Sequence, residues 1–192
     1  MNNLQAVMTA GIKADPHTIP ALIKQCGVEE DFYVRDMLTW ALTRMPQDEV
    51  IPLLVTELDA ETPFGASQAL HTFSKLKNTS VWAELKSRPQ LLHRSDTKVT
   101  AWRSYAGLVP EKDVPWLLEE LGQELDQGDT DTQRSLSRAI VELGNRGASI
   151  SAFLGRFKGP HTRATLALWE DPDADFAANL HLARKVDNMG AC

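Results

Sequence analysis

An apolar pattern that recurs along the chain constrains its fold more than any other feature. Apolar residues occupy positions i, i+3, i+4 and i+7, the spacing that places four side chains on one stripe of an α-helix. Clear copies begin at Ile19, Ile51, Val114 and Ile150. In the first three copies the second residue is a proline, which suits the first turn of a helix. The pattern therefore predicts a helix at each place, and its first two copies begin 32 residues apart.

A degenerate copy is predicted in the longest gap. Ile51 and Val114 are separated by 63 residues, close to twice the first interval. Trp82 and Leu85 lie where the missing copy should start, and Pro89 shortens its helix. The sequence therefore predicts a shorter first helix in this repeat.

A second apolar pattern lies between these copies and predicts a second helix in each repeat. It sets an alanine beside large apolar residues, which lets a neighbouring helix approach closely. Its copies are Leu38, Ala41, Leu42, Met45; Ala66, Ala69, Leu70, Phe73; Ala101, Trp102, Tyr105; Leu136, Ala139, Ile140, Leu143; and the looser Leu166, Leu168, Trp169. Because no alternating apolar and polar run is long enough for a strand, the sequence predicts an all-α chain.

The two patterns together predict a single domain over residues 1–192, an α-solenoid of about five antiparallel helix pairs. At least eight helices and no sheet are expected. A C-terminal capping helix is predicted around residues 173–186, where Phe176, Leu180 and Ala183 have helical spacing. A longer loop is predicted near residues 127–132, because the last interval between first helices is 36 residues.

The repeats resemble HEAT-like, armadillo-like helical repeats of the phycobilisome-lyase type. Residues 31–42, DFYVRDMLTWAL, look like the second-helix opening of that family, in which an acidic loop precedes Val34 and Arg35. The resemblance spans about residues 17–170. It implies a protein-binding scaffold or adaptor. Two alternatives are also implied: a nucleic-acid-binding role of the DNA glycosylase kind, and a bilin-lyase-like role.

The net charge and its distribution along the chain bear on the nucleic-acid alternative. A net charge of −6 argues against a nucleic-acid partner. Residues 75–103, with seven bases and two acids, form the band that argues for one. The longest uncharged run is too short to span a membrane, and the N-terminus lacks the features of a signal peptide. With two cysteines that cannot make a disulfide framework, a cytoplasmic location is predicted.

No catalytic or metal-binding constellation is apparent, so the chain is predicted to be non-catalytic and to need no cofactor or metal. The five histidines lack metal-ligand spacing. His17 and His161 both lie between a proline and a threonine, which indicates either a paired polar site or, as we prefer, helix starts. Cys26 is predicted to be a buried, inert thiol.

The candidate partner-binding residues lie on second helices, outside the apolar stripe, and are predicted to face the concave side of the solenoid. They are Trp40, Arg44, His71, Arg103 and Arg138. Tryptophan and arginine are enriched at binding hot spots, and guanidinium groups match carboxylate and phosphate geometry. The predicted partner is a protein, with an acidic or phosphorylated segment. Trp40 either faces outward or packs against the next repeat, whereas Trp102 is predicted to be structural. The sequence leaves the oligomeric state open.

Overall fold

A computed structural model describes residues Asn3–Gly190, which form twelve α-helices joined by loops and short 3-10 segments, with no β-strand in that range. The helices are α1 (Asn3–Lys13), α2 (Ile19–Cys26), α3 (Phe32–Thr43), α4 (Gln47–Glu57), α5 (Gly65–Leu76), α6 (Trp82–Lys86), α7 (Lys98–Leu108), α8 (Val114–Gly122), α9 (Thr130–Asn145), α10 (Ile150–Leu154), α11 (Pro160–Glu170) and α12 (Phe176–Gly190). The predicted all-α class is confirmed. Within the described range, no helix is both long and apolar enough to cross a membrane.

The chain divides into two compact units, and the division falls within α7. The first unit ends at Ser104 and the second begins at Tyr105. A single domain over residues 1–192 stays a prediction.

Helix pairs build the first unit, as the apolar patterns predict. Helix α2 packs on α3 and α4 packs on α5, while α2 also contacts α4 and α3 contacts α5. Leu42 of α3 and Leu70 of α5 are fully buried. Because burying a leucine side chain stabilises the fold by about 1.5–3 kcal/mol, these stripes hold the pairs together.

In the first unit, two hydroxyl pairs join successive second helices, each with a separation of 33 residues. The hydroxyl oxygens of Thr39 and Thr72 lie 3.4 Å apart and are buried. The Ser67 and Thr100 hydroxyls lie 3.3 Å apart, again 33 residues along the chain. Two contacts with the same offset mean that α3, α5 and α7 follow one another in the same register.

The N-terminal helix α1 was not predicted, and it changes the environment of Trp40. Gly11 of α1 lies against the indole ring of Trp40, so close that an added Cβ would be 2.9 Å from Cε3. Trp40 is half-buried by this contact. Neither predicted arrangement is correct, because Trp40 packs against the helix that precedes the first repeat.

The first helix of the second repeat is rotated from its predicted face. Val50 and Leu54 are buried on α4, whereas Ile51 and Val55 are half-buried. Pro52 lies on the exposed side. The buried stripe therefore begins one residue earlier than the apolar pattern indicates.

The shortened first helix predicted near Trp82 is confirmed. Helix α6 has five residues, and a 3-10 segment from Pro89 to Leu92 continues the chain. Trp102, 1% exposed, donates its indole N–H to the carbonyl oxygen of Leu92 at 2.9 Å. Trp102 is therefore structural, as predicted.

The second unit also contains paired helices and ends in the predicted capping helix. Helix α8 packs on α9, and α10 packs on α9 and α11. Phe176 and Leu180 of α12 join Ala164 and Leu168 of α11 in one buried cluster. The longer loop is confirmed over residues 127–129, after which Asp129 caps α9 through the N–H of Thr132 at 2.8 Å.

The looser fifth copy of the second pattern is wrong at two of its three positions on α11. The buried positions include His161, Ala164, Thr165 and Leu168, which keep the i, i+3, i+4, i+7 spacing. Of the predicted core residues, Leu168 is buried as predicted, whereas Leu166 and Trp169 are half-buried. The error arises because a histidine and a threonine occupy positions that are apolar in the other repeats.

Candidate binding cleft and the predicted site residues

The predicted residues of the first unit lie in two places. His71 on α5 is half-buried, and its Nε2 lies 3.5 Å from Oδ1 of Asp36 on α3. Burial lowers the pKa of His71 below its usual value, and the positive charges of Lys75 and Arg103 lower it further, against the opposing effect of Asp36. His71 therefore contributes a neutral imidazole to this surface at neutral pH.

Arg103, on α7, is exposed, and its positive charge acts on His71. The remaining two predicted residues of the first unit, Trp40 and Arg44, belong to α3 and its C-cap. Arg44 is exposed and forms the C-cap of α3. Trp40, by contrast, uses its ring to hold α1, so its role in partner binding loses support.

Arg138 lines a cleft in the second unit, of about 350 Å³. Arg134 of the same helix lies one turn before it and also lines the cleft. The apolar part of the lining includes Val141, Leu168 and Phe176. Because the last two belong to the core cluster under α12, this part of the wall is held in place by packing.

The guanidinium groups of the cleft differ in their partners. Arg134 donates to the exposed carboxylate of Asp131 at 3.1 Å. Arg138 is exposed and has no ion-pair partner among the described residues. Glu142 and Asn145 also line the cleft, and their oxygen atoms can accept hydrogen bonds. A ligand that brings a carboxylate to Arg138 and apolar area to the wall would satisfy both.

Arg134 was missed by the sequence analysis, although a signal for it existed. Arg134 and Arg138 are four residues apart on one predicted helix, which places them on the same face. The remaining wall comes from residues 172–176, the connection into α12, and no periodic pattern marks such a segment.

A buried polar cluster in the second unit includes a serine–histidine pair. Ser137 Oγ lies 2.9 Å from Nε2 of His161, and both residues are fully buried. The backbone N–H of Asp126 donates to Nδ1 of His161 at 3.0 Å, so the ring proton is on Nε2, which lies 2.9 Å from the carbonyl oxygen of Gln133. A protonated Nε2 cannot accept the serine proton. This arrangement therefore joins α9 to α11 and is unsuited to activating a nucleophile.

The two proline–histidine–threonine sequences lie in different surroundings. His17 is exposed in a 3-10 segment, where Asp15 accepts a hydrogen bond from its N–H at 3.1 Å. His161 is in the first turn of α11. Both sequences begin helical segments, as we preferred.

Part of the basic band at residues 75–103 is neutralised inside the first unit. Arg88 donates to Asp59 at 2.7 Å and to Glu84 at 2.9 Å, and the hydrogen bond lowers the pKa of Asp59. Arg94 pairs in the same way with Asp96 at 2.5 Å. The band therefore offers less free positive charge to a phosphate backbone than its composition indicates, which weakens the nucleic-acid alternative.

Cys26 is the cysteine that the structure describes. Cys26 is buried as predicted, and burial together with the negative charge of Glu57 raises its pKa to about 12. Cys192 lies outside the described residues. Among the described residues, no group of three histidine, cysteine, aspartate or glutamate side chains could hold a metal ion.

Comparison with known proteins adds no relative. The sequence matches no model of a known protein family, and no curated protein is similar to it.

Proposed function

We propose that this protein is a non-catalytic binding module that captures an acidic segment of another protein in the cleft beside α9. The observation that carries the proposal is the position of Arg138, exposed and without an acidic partner among the described residues, beside an apolar wall. A guanidinium group binds a carboxylate or a phosphate with two parallel hydrogen bonds, which suits an acidic or phosphorylated side chain.

The rest of the cleft fits an extended peptide. An apolar side chain next to the acidic one would cover Val141, Leu168 and Phe176. The oxygen atoms of Glu142 and Asn145 would accept hydrogen bonds from the main-chain N–H groups of the bound segment.

We further infer that the repeats form a short α-solenoid of the HEAT-like kind. The support is the offset of 33 residues shared by the two hydroxyl pairs that join α3 to α5 and α5 to α7, and the further hydroxyl pair, with an offset of 28 residues, that joins α9 to α11. Solenoids present open curved surfaces that suit peptides and protein domains rather than small substrates.

Selection from a random peptide library displayed on phage tests this function. We expect the full chain to enrich peptides in which an aspartate or a glutamate lies beside a large apolar residue. Arg138→Ala should weaken binding of the selected peptides by about tenfold, because it removes a desolvated charge-assisted pair. Lys112→Ala is the matched control: Lys112 is an exposed base of the same unit that does not line the cleft. Enrichment of neutral or basic peptides, or equal losses for the two variants, would contradict the proposal.

A further inference from the structure

Two adjacent aromatic side chains of the first unit are exposed at the start of α3. Phe32 is 65% exposed and Tyr33 is 78% exposed, and their rings meet edge to face with centroids 5.8 Å apart. Val28, in the loop just before them, is 50% exposed. Single exposed apolar residues are ordinary, but three large ones within six positions of the chain form a patch that the fold itself does not require.

Arg35 of α3 holds the loop that precedes these aromatic residues. Arg35 donates to the carbonyl oxygens of Glu29 at 2.7 Å and of Glu30 at 2.8 Å. Its guanidinium group also lies over the ring of Phe64, 4.3 Å from the centroid. The hydrogen bonds of Arg35 therefore go to the main chain of the loop, and they fix the loop in one conformation.

The carboxylates of the same loop have no basic partner. Glu29 accepts a hydrogen bond from the side-chain amide of Gln25 at 2.8 Å, and Asp31 accepts one from the N–H of Tyr33 at 2.8 Å. Glu30 is exposed. Within the part of the chain that the structure describes, no lysine, arginine or histidine forms an ion pair with any of the three. The loop that leads into the exposed rings therefore carries three negative charges without an ion-pair partner, and the one nearby guanidinium group, that of Arg35, is held on the main chain.

We propose that this surface, which we call the aromatic patch, docks a cationic segment of a partner protein. The aromatic patch consists of Val28, Phe32 and Tyr33 together with the carboxylates of Glu29, Glu30 and Asp31. Aromatic faces attract lysine and arginine side chains, and carboxylates without an ion-pair partner attract the same groups. The apolar stems of those side chains would cover the exposed ring area, so one class of ligand satisfies both features.

The aromatic patch is distinct from the cleft beside α9. It belongs to the other compact unit, and the charge that it favours is opposite. Its binding therefore does not depend on the proposed function of the cleft.

Fluorescence anisotropy with defined peptides tests the proposal on the full chain. The probe is a labelled arginine-rich peptide with a central leucine, and two further probes have every arginine replaced by glutamine or by glutamate. We expect the arginine peptide alone to bind. The double variant Phe32→Ser with Tyr33→Ser should weaken binding by about tenfold, since aromatic residues dominate such contacts. The reversal Glu30→Lys should weaken it as well, and more so at low salt.

Matched controls separate this surface from general attraction to an acidic protein. Leu53→Ser removes an exposed apolar side chain of α4, and Glu49→Lys reverses an exposed acid of the same helix. Both should retain wild-type affinity, as should Arg138→Ala. All substituted side chains are exposed, and circular dichroism checks that the helices persist.

Several outcomes would overturn the proposal. The first is failure of the arginine peptide to bind, and the second is equal binding of the glutamine peptide. Equal losses in the patch and control variants would reduce the effect to net charge. If sedimentation equilibrium finds self-association that the double variant abolishes, the patch is an interface between copies of this chain instead.

Discussion

His161 of α11 has surroundings that are unusual for a histidine side chain. It is fully buried, accepts a hydrogen bond at Nδ1 and faces a carbonyl oxygen and a hydroxyl at Nε2. Burial lowers its pKa below the ordinary value of 6.5, and the nearby charge of Arg184 acts in the same direction. The native state therefore holds this histidine neutral.

Stability should fall as the pH falls below about 6.5, the pKa of histidine in the unfolded chain. In that range the unfolded state binds a proton that the folded state takes up only at lower pH. The contribution of His161 is complete above this pH and decreases as the pH drops toward the lowered pKa. Urea unfolding at a series of pH values between about 7.5 and 5.5 measures the effect.

The variant His161→Gln should flatten this dependence as well as destabilise the fold. His71, whose pKa is also lowered, should retain its own share, which His71→Gln removes. If His161→Gln unfolds with the same pH dependence as the wild type, the buried neutral histidine is not the cause.

At the scale of elements, the packing of α1 on α3 depends on one glycine. An alanine at Gly11 would place its Cβ inside van der Waals distance of the Trp40 ring. Such overpacking costs about 1–3 kcal/mol. We expect Gly11→Ala to lower the free energy of unfolding and to speed hydrogen exchange of the α1 amides in particular, because α1 can separate from α3 before the rest unfolds.

A second helical glycine provides the control for this prediction. No atom lies within 4 Å of the Cβ that an alanine at Gly107 would add. Gly107→Ala should therefore stabilise α7 by about 0.5–1 kcal/mol through helix propensity alone. Equal effects of the two substitutions in urea unfolding would mean that the contact between Gly11 and Trp40 does not hold α1.

The same elements explain which parts of the fold could be predicted. The second helices α3, α5 and α9 were predictable because most of their buried positions are apolar and regularly spaced. Helix α1 was not, because Gly11 occupies a packing position and glycine carries no apolar signal. The face of α11 was missed for a related reason: its core positions include His161 and Thr165, which are satisfied by hydrogen bonds rather than by apolar contacts.

The candidate site was predictable only in part. Arg138 could be placed on the outer face of its helix from spacing, and the structure places it in a cleft. The shape of that cleft depends on residues 172–176, and a loop conformation of this kind leaves no periodic signal in a sequence. Trp40 failed as a site residue because its partner, α1, was itself unpredicted.

The whole molecule has two proposed binding surfaces with opposite charge preferences. The cleft beside α9 favours an acidic segment, and the aromatic patch at the start of α3 favours a cationic one. Each belongs to a separate compact unit. Variants of one surface should therefore leave binding at the other unchanged, since sites that share no residues behave additively.

Chemical-shift mapping by NMR reports directly on binding of an acidic peptide in the cleft beside α9. The ¹⁵N-labelled full chain is titrated with the tightest acidic peptide from the phage selection. We expect chemical-shift changes concentrated in the amides of residues 134–145 and 172–176. These changes should be absent in Arg138→Ala. Shifts that spread over the first unit instead, or that persist in Arg138→Ala, would contradict binding in the cleft.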